Sequence, residues 1–129
     1  HGSDERVDVA AAVTCLLARV AAPTVAVAGY SFGAWVGLAA GAGDARVHRL
    51  LGVAPPVASR DHGFLVTVAK PTLLIAGDCD DIAPVAALRN LTADGAKSIS
   101  LEVIAGADHF FWSREDEVSR AAVAFLGTV

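Results

Sequence analysis

The chain of 129 residues carries 10 basic and 14 acidic side chains, so its formal net charge is −4 with neutral histidines. The basic residues occur singly between Arg6 and Arg120, which argues against a nucleic-acid partner because phosphate binding depends on clustered positive charge. Since 54% of the residues are hydrophobic and 19% are charged, the composition excludes a disordered chain, and the length predicts a single domain over residues 1–129.

Apolar spacing predicts helices and strands that alternate along the chain. Apolar residues recur at helical intervals over Asp8–Val20, which predicts a helix ended by Pro23. The short apolar run Val25–Ala28, closed by Gly29, predicts a strand buried on both faces. Small apolar residues from Phe32 to Ala42 predict the next helix.

The same alternation continues to the end of the sequence. The further predicted elements are a strand at Val47–Val53, a loop at Ala54–Gly63, a strand at Thr72–Ala76, a helix at Pro84–Leu91, a strand at Ile99–Ile104 and a helix at Ser113–Leu126. Alternation of this kind predicts an α/β fold: a parallel sheet of about four strands with flanking helices, and a site at the carboxyl ends of the strands.

Membrane, metal and redox functions find little support in the sequence. No apolar run approaches the roughly 18 residues that a membrane span needs, and no leader pattern is visible, so we expect a cytoplasmic protein without a membrane partner. Cys15 and Cys79 lie in unrelated contexts and are expected to be free thiols. The four histidines lack ligand spacing, so we expect neither a metal nor a cofactor.

A Gly-x-Ser-x-Gly pattern occupies the turn between the first predicted strand and the following helix, as Gly29-Tyr30-Ser31-Phe32-Gly33. A nucleophile on so tight a turn needs strained torsions, and the residues two before and two after it must be small for strand and helix to approach. Ser31 is therefore the candidate nucleophile, and the backbone NH of Phe32 is the candidate oxyanion donor. A chance glycine-serine turn is the alternative for the pattern taken alone.

Three aspartates follow the predicted strand Thr72–Ala76, in Gly77-Asp78-Cys79-Asp80-Asp81. A serine nucleophile needs a histidine base, and the imidazole needs a carboxylate that fixes its tautomer and stabilises its charged form. Any of the three aspartates could provide that carboxylate. The alternative is an acidic loop that caps the next helix, a role that suits Asp78 or Asp81.

His109 is the candidate base, because among the four histidines it alone follows a predicted strand at the end where the site is expected. A lone histidine in a loop is usually a surface residue. The argument for His109 therefore depends on its occurring together with the serine turn and the acidic segment.

These motifs resemble those of the α/β-hydrolases, and most closely those of the small cap-less bacterial serine hydrolases. Gly-Tyr-Ser-Phe-Gly-Ala at 29–34 and Gly-Ala-Asp-His-Phe-Phe at 106–111 match that group, and 70–84 is similar to its acid-bearing segment. The register of that segment selects Asp80. The resemblance thus implies a triad of Ser31 as nucleophile, Asp80 as orienting acid and His109 as base, in the serine, acid, histidine order of this family.

The resemblance also implies that the four predicted strands correspond to the C-terminal half of an eight-stranded sheet. The loop that supplies a second oxyanion NH belongs to the other half, so we expect the chain alone to lose roughly a hundred- to a thousand-fold in turnover. The strand Val25–Ala28 would form an unpaired apolar edge. We expect this edge to pair with a second copy, a separate chain or an upstream segment.

The leading hypothesis is hydrolysis of a small carboxylic ester or thioester through an acyl-serine intermediate. The segment Ala54–Gly63 is too short for a cap, which predicts an open site. Tyr30 and Phe110 are the candidate substrate-binding residues, as an apolar wall for a short acyl or alcohol group. Core or interface packing is the favoured interpretation of Phe111 and Trp112.

Two other functions are compatible with the sequence. A non-catalytic α/β-hydrolase-like fragment or subunit would keep the fold and act by association. An acyltransferase or a peptidase would use the same triad, because pocket shape rather than the triad sets the leaving group and the acceptor.

Overall fold

The computed structural model describes residues 2–93 and 98–127. Its elements in chain order are α1 (Ser3–Leu17), β1 (Val25–Tyr30), α2 (Phe32–Ala42), β2 (Val47–Val53), a 3₁₀ helix (Gly63–Thr67), β3 (Thr72–Gly77), α3 (Val85–Ala93), β4 (Ile99–Ile104) and α4 (Glu115–Leu126).

The four strands form one parallel sheet in the order β1-β2-β3-β4. Helix α2 packs on one face, where a Cβ on Gly52 would lie 2.7 Å from Leu38. Helix α1 packs on α2, and the 3₁₀ helix contacts both α2 and α3. Helix α4 lies on the other face, beside Leu73 and Glu102. The predicted α/β fold, a four-stranded parallel sheet with flanking helices, is therefore confirmed.

Helix α1 begins and ends earlier than predicted, at Ser3 and Leu17 rather than at Asp8 and Val20. The NH of Gly2 donates to the Glu5 carboxylate at 2.7 Å, so the acidic first turn caps the helix itself. At the other end the amides of Arg19 and Val20 both donate to the carbonyl of Leu16. This tightened last turn, and not Pro23, ends the helix.

Four boundaries in the second half of the chain differ from the prediction by one or two residues. Strand β3 continues to Gly77, and α3 occupies Val85–Ala93 instead of Pro84–Leu91. Helix α4 begins at Glu115 and not at Ser113, because Ser113 has a φ of 60°, which an α-helix does not allow. The bounds of α2, β2 and β4 agree with the prediction.

Strand β1 is two residues longer than predicted and is not buried on both faces. It continues through Gly29 to Tyr30, and its side chains alternate between more and less covered positions. The reason is its place in the sheet, since β1 is an edge strand that pairs with β2 alone among the described residues. An apolar run of this length is equally compatible with a central or an edge strand, and only the neighbouring elements decide between them.

A continuous apolar core lies between the sheet and the helices. Its largest fully buried side chains are Leu38, Leu50, Leu65, Leu74, Ile75 and Leu88. Among the described residues no helix is both long and apolar enough to cross a bilayer.

His62 is a buried histidine in a segment whose sequence predicts an ordinary polar loop. Its side chain is 3% exposed. The Nδ1–H donates to the carbonyl of Arg60 at 2.8 Å, and Nε2 is buried without a hydrogen-bond partner in the described residues. Burial lowers the pKa of His62 below its ordinary value of 6.5, because the charged imidazolium would lose its hydration.

The lowered pKa makes the free energy of unfolding depend on pH in a defined direction. In the window between the lowered folded pKa and the unfolded value near 6.5, the unfolded chain binds more protons. The contribution of His62 to the free energy of unfolding is therefore fully present above about pH 6.5. It is lost as the pH falls through that window, and the free energy of unfolding then changes by at most about 1.4 kcal/mol per pH unit. Urea unfolding of the wild type across this range measures the slope.

The matched control for this pH dependence is a second histidine. His62→Gln should flatten the slope, whereas His48→Gln, at an exposed position, should keep it. A slope that is unchanged in His62→Gln would contradict the assignment.

Candidate active site

Ser31 sits on a strained turn between β1 and α2. Its φ and ψ are 52° and −121°, and its backbone NH donates to the carbonyl of Val53 on β2 at 2.8 Å. A non-glycine residue rarely adopts a positive φ, and such strain persists only where the surrounding structure enforces it. The turn places the Ser31 side chain at the carboxyl end of the sheet, where α2 begins with the backbone NH of Phe32.

The two glycines of the turn are not equivalent. A Cβ on Gly29 would lie 2.3 Å from the backbone carbonyl oxygen of Gly33, whereas a Cβ on Gly33 would meet no atom within 4 Å. The expectation that both positions must be small is therefore wrong for Gly33. The close approach of strand and helix depends on Gly29, because a side chain there would collide with the backbone of α2.

A methyl group at position 29 should push β1 and α2 apart. We expect Gly29→Ala to lower the free energy of unfolding by about 2–3 kcal/mol, and Gly33→Ala, the matched control, to leave it unchanged or to raise it slightly. Urea unfolding of both variants measures the difference. Equal stabilities of the two variants would contradict this account of the turn.

Ser31, His109 and Asp80 form a continuous chain of hydrogen bonds. Ser31 Oγ lies 2.8 Å from His109 Nε2, and His109 Nδ1 lies 2.8 Å from Asp80 Oδ2. Because an ionised carboxylate only accepts hydrogen bonds, Nδ1 carries the imidazole proton and Nε2 is left to accept from the serine hydroxyl. An imidazole held in this state can remove a proton from the serine.

Asp80 is fixed from both sides. Its second oxygen, Oδ1, accepts hydrogen bonds from the backbone amides of Ile82 and Ala83 at 2.8 and 2.9 Å. Both Asp80 and His109 are buried. Three donors thus satisfy a carboxylate that is withdrawn from water, and the orientation of the imidazole follows from that of Asp80.

The loop that carries His109 follows β4, at the opposite edge of the sheet from Ser31, and crosses the end of β3 on its way. There Cys79 donates its NH to the carbonyl of Ala107 at 2.9 Å, and Gly106 donates to Asp78 Oδ1 at 2.7 Å. A Cβ on Gly77 would lie 2.2 Å from the carbonyl oxygen of Ala107. The absence of a side chain at Gly77 therefore lets the loop lie directly on the strand end.

The two acidic neighbours of Asp80 have other surroundings. The alternative for Asp78 was that it caps α3. Asp78 instead accepts a hydrogen bond from the Gly106 amide and holds the loop that carries His109. Asp81 is exposed. Cys79 is exposed, and its pKa is raised, mainly by a hydrogen bond to Asp78, which disfavours the thiolate form that a cysteine nucleophile needs.

The aromatic residues around the site differ in their exposure. Tyr30 and Phe110 line a cavity of about 320 Å³ together with Val53, Phe111 and three residues of α4, Glu115, Val118 and Ser119. Phe111 is buried in the core, whereas Trp112 is 71% exposed. Phe111 therefore packs in the core, as expected, whereas interface packing of Trp112 stays a prediction.

Two features of the site have no clear pattern in the sequence. The Tyr30 hydroxyl donates to the backbone carbonyl of His109 at 2.7 Å, and Asp78 ties the histidine loop to β3. The glycine at the end of β3 is the one available signal for the second feature. Within residues 2–93 and 98–127, no group of three or more histidine, cysteine or acidic side chains is arranged to hold a metal ion.

Known proteins resemble this chain in sequence and in fold. A family model described as the dienelactone hydrolase family matches residues 3–126. An uncharacterized protein of Rickettsia prowazekii (strain Madrid E) is 29% identical over 109 residues, which cover 78% of this chain and 46% of that protein.

Solved structures are similar over almost the whole chain. An α/β serine hydrolase homologue from Coxiella burnetii is 28% identical with a TM-score of 0.87, over 96% of this chain and 59% of that one. A serine hydrolase without a lid from Xanthomonas campestris is 29% identical with a TM-score of 0.83, over 96% of this chain and 56% of that one. The chain thus spans about half to three-fifths of the length of these relatives.

Proposed function

Because the chain belongs to the dienelactone hydrolase family, within the α/β-hydrolases that its motifs resemble, we propose that it hydrolyses small carboxylic esters or thioesters. The observation that carries the proposal is the hydrogen-bonded chain from Ser31 Oγ through His109 to Asp80, with 2.8 Å at each step. This arrangement suits a serine nucleophile activated by an imidazole base.

The proposed reaction has two halves. Ser31 Oγ attacks the ester carbonyl while His109 Nε2 takes its proton, and the imidazolium returns that proton to the departing alcohol or thiol. In the second half, water gives a proton to His109 and attacks the acyl-serine, which releases the acid and restores the serine hydroxyl. Asp80 stabilises the imidazolium in both halves.

Charge develops on the carbonyl oxygen in each half and needs a hydrogen-bond donor. The NH of Phe32 is the first backbone amide of α2, where the helix dipole adds positive potential. We therefore assign Phe32 NH to the oxyanion. A donor of this kind, fixed before the reaction, stabilises the transition state more than the ground state.

The substrate class follows from the surroundings of the triad. Tyr30 and Phe110 directly adjoin Ser31 and His109 in the chain, and both line the cavity of about 320 Å³, whose surface is mostly apolar and includes Glu115. A volume of that size is at the lower end for ligand sites. We therefore expect a short, uncharged acyl or alcohol group to lie against these two rings.

Hydrolysis of p-nitrophenyl esters tests the proposal. The 129-residue chain should release p-nitrophenol from the acetate and butyrate esters faster than from the laurate ester, with an initial burst when acylation is faster than deacylation. Release at the buffer rate for all three esters would contradict the proposal.

A second candidate function, association without catalysis, is favoured by the edge of the sheet. Strand β1 has one described neighbour, and Ala26 and Ala28 are exposed on it. We propose that a second copy, a separate chain or an upstream segment pairs with this strand, because open apolar edges recruit further strands. A stable monomer in size-exclusion chromatography, with rapidly exchanging β1 amides, would contradict the pairing. Release of p-nitrophenol above the buffer rate would support ester hydrolysis, whereas strand pairing without such release would support association without catalysis.

A further inference from the structure

The residue before the candidate nucleophile is bonded to the residue that carries the candidate base. The Tyr30 hydroxyl donates to the backbone carbonyl oxygen of His109, with an oxygen–oxygen distance of 2.7 Å between residues 79 positions apart. The centroids of the two rings lie 5.6 Å apart. Strand β1, which leads into Ser31, therefore also holds the loop of His109.

This bond lies where the loop is far from its own strand. Strand β4 is at one edge of the sheet and β1 is at the other, so three strand spacings of about 4.8 Å separate them. The bonds to Asp78 and Cys79 hold the loop at the end of β3. Beyond the end of β3, the Tyr30 hydroxyl holds the backbone of the loop, at His109, next to Ser31.

The loop needs such an anchor because its backbone is strained just after His109. Phe111 and Ser113 have φ values of 54° and 60°, in the left-handed region that is unfavourable for residues with side chains. Strain of this kind persists only when the surrounding contacts fix it. Burial of Phe111 provides one such contact, and the hydrogen bond from Tyr30 to His109 provides another next to the candidate nucleophile.

The phenol remains a hydrogen-bond donor over a wide pH range. Partial burial raises the pKa of Tyr30 above its ordinary value of 10.0, and the negative charges of Asp80 and Asp108 raise it further. The hydroxyl therefore keeps its proton from neutral pH up to at least about pH 10.

We propose that Tyr30 is a positioning residue whose hydroxyl holds the backbone of His109 at the place where Nε2 reaches Ser31 Oγ. The inference rests on the proposed function, since Ser31 and His109 are its nucleophile and base. The ring of Tyr30 borders the cavity, and its hydroxyl acts on the loop. Tyr30→Phe separates the two, because it keeps the ring and removes the hydroxyl.

The test uses two variants of the 129-residue chain and two readouts. Tyr30→Phe removes the bond to His109, and Ser98→Ala removes a matched hydroxyl-to-carbonyl bond, 2.8 Å long, to Val68. The first readout is the rate of labelling by an alkyl fluorophosphonate: the Ser31 Oγ–P bond forms, the P–F bond breaks, fluoride leaves and His109 takes the serine proton. The second is the proton NMR signal of the His109 Nδ1–H held by Asp80.

We expect Tyr30→Phe to slow labelling by about ten- to a hundred-fold, because a small displacement of a catalytic group has an effect of this size. Its Nδ1–H signal should broaden or move, whereas Ser98→Ala should match the wild type in both readouts. An unchanged Nδ1–H signal in Tyr30→Phe would overturn the proposal, with or without slower labelling. If the wild type is not labelled at all, the proposed function fails, and the Nδ1–H signal still decides the role of Tyr30.

Discussion

Ser31→Ala should abolish ester hydrolysis by this chain. We expect the enzyme-dependent rate with p-nitrophenyl acetate to fall by about 10⁴-fold or more, because the variant keeps His109 and Asp80 but has no oxygen that can form the acyl intermediate. The free energy of unfolding should fall by no more than about 1–3 kcal/mol, because the variant leaves the buried His109 Nε2 without its partner. Initial rates at matched protein concentration measure the effect.

The control for Ser31→Ala is an exposed serine away from the triad. Ser59 lies in the segment between β2 and the 3₁₀ helix, and Ser59→Ala should hydrolyse the ester at the wild-type rate. Hydrolysis that survives in Ser31→Ala would show that another group attacks the ester, and the proposed nucleophile would be wrong.

Asp80→Asn should also strongly lower the rate of ester hydrolysis. The amide has nearly the shape of the carboxylate but presents an NH₂ group or a carbonyl without charge, so the imidazole loses its fixed tautomer and the partner that stabilises its charged form. A loss of this kind costs about 10⁴-fold in turnover where a serine, histidine and aspartate act together. Ester hydrolysis across the pH range measures it.

The neighbouring aspartate provides a matched control for the acid. Asp81 carries the same charge one residue away but is exposed, and Asp81→Asn should keep the wild-type rate. If Asp80→Asn and Asp81→Asn lowered the rate equally, the effect would come from the charge of the loop, and not from the bond between Asp80 and His109.

The parts of the fold that the sequence predicts well are those in which local chemistry sets the boundary. The apolar residues of β2 and β4 predict the bounds that the structure shows for these strands. The end of β1 could not be predicted in the same way, because Gly29, which is typical of a turn, is here part of the strand. Its burial depends on neighbouring elements, and no local pattern contains that information.

The residues of the candidate site likewise differ in how far local sequence patterns predict them. The glycine-serine turn and the histidine after β4 point to Ser31 and His109 because they occur together at strand ends, whereas the choice of Asp80 among three aspartates needs the family register. The structure gives Asp80 a physical distinction: it is buried and accepts from the amides of Ile82 and Ala83. That distinction depends on the backbone path after β3, which residue types do not encode.

Peptide mapping after fluorophosphonate treatment shows whether hydrogen bonding through His109 makes Ser31 a nucleophile. We expect one phosphonate adduct, on the peptide that contains Ser31, and none in His109→Ala. An adduct on a different residue, or equal labelling of Ser31 in His109→Ala, would contradict it.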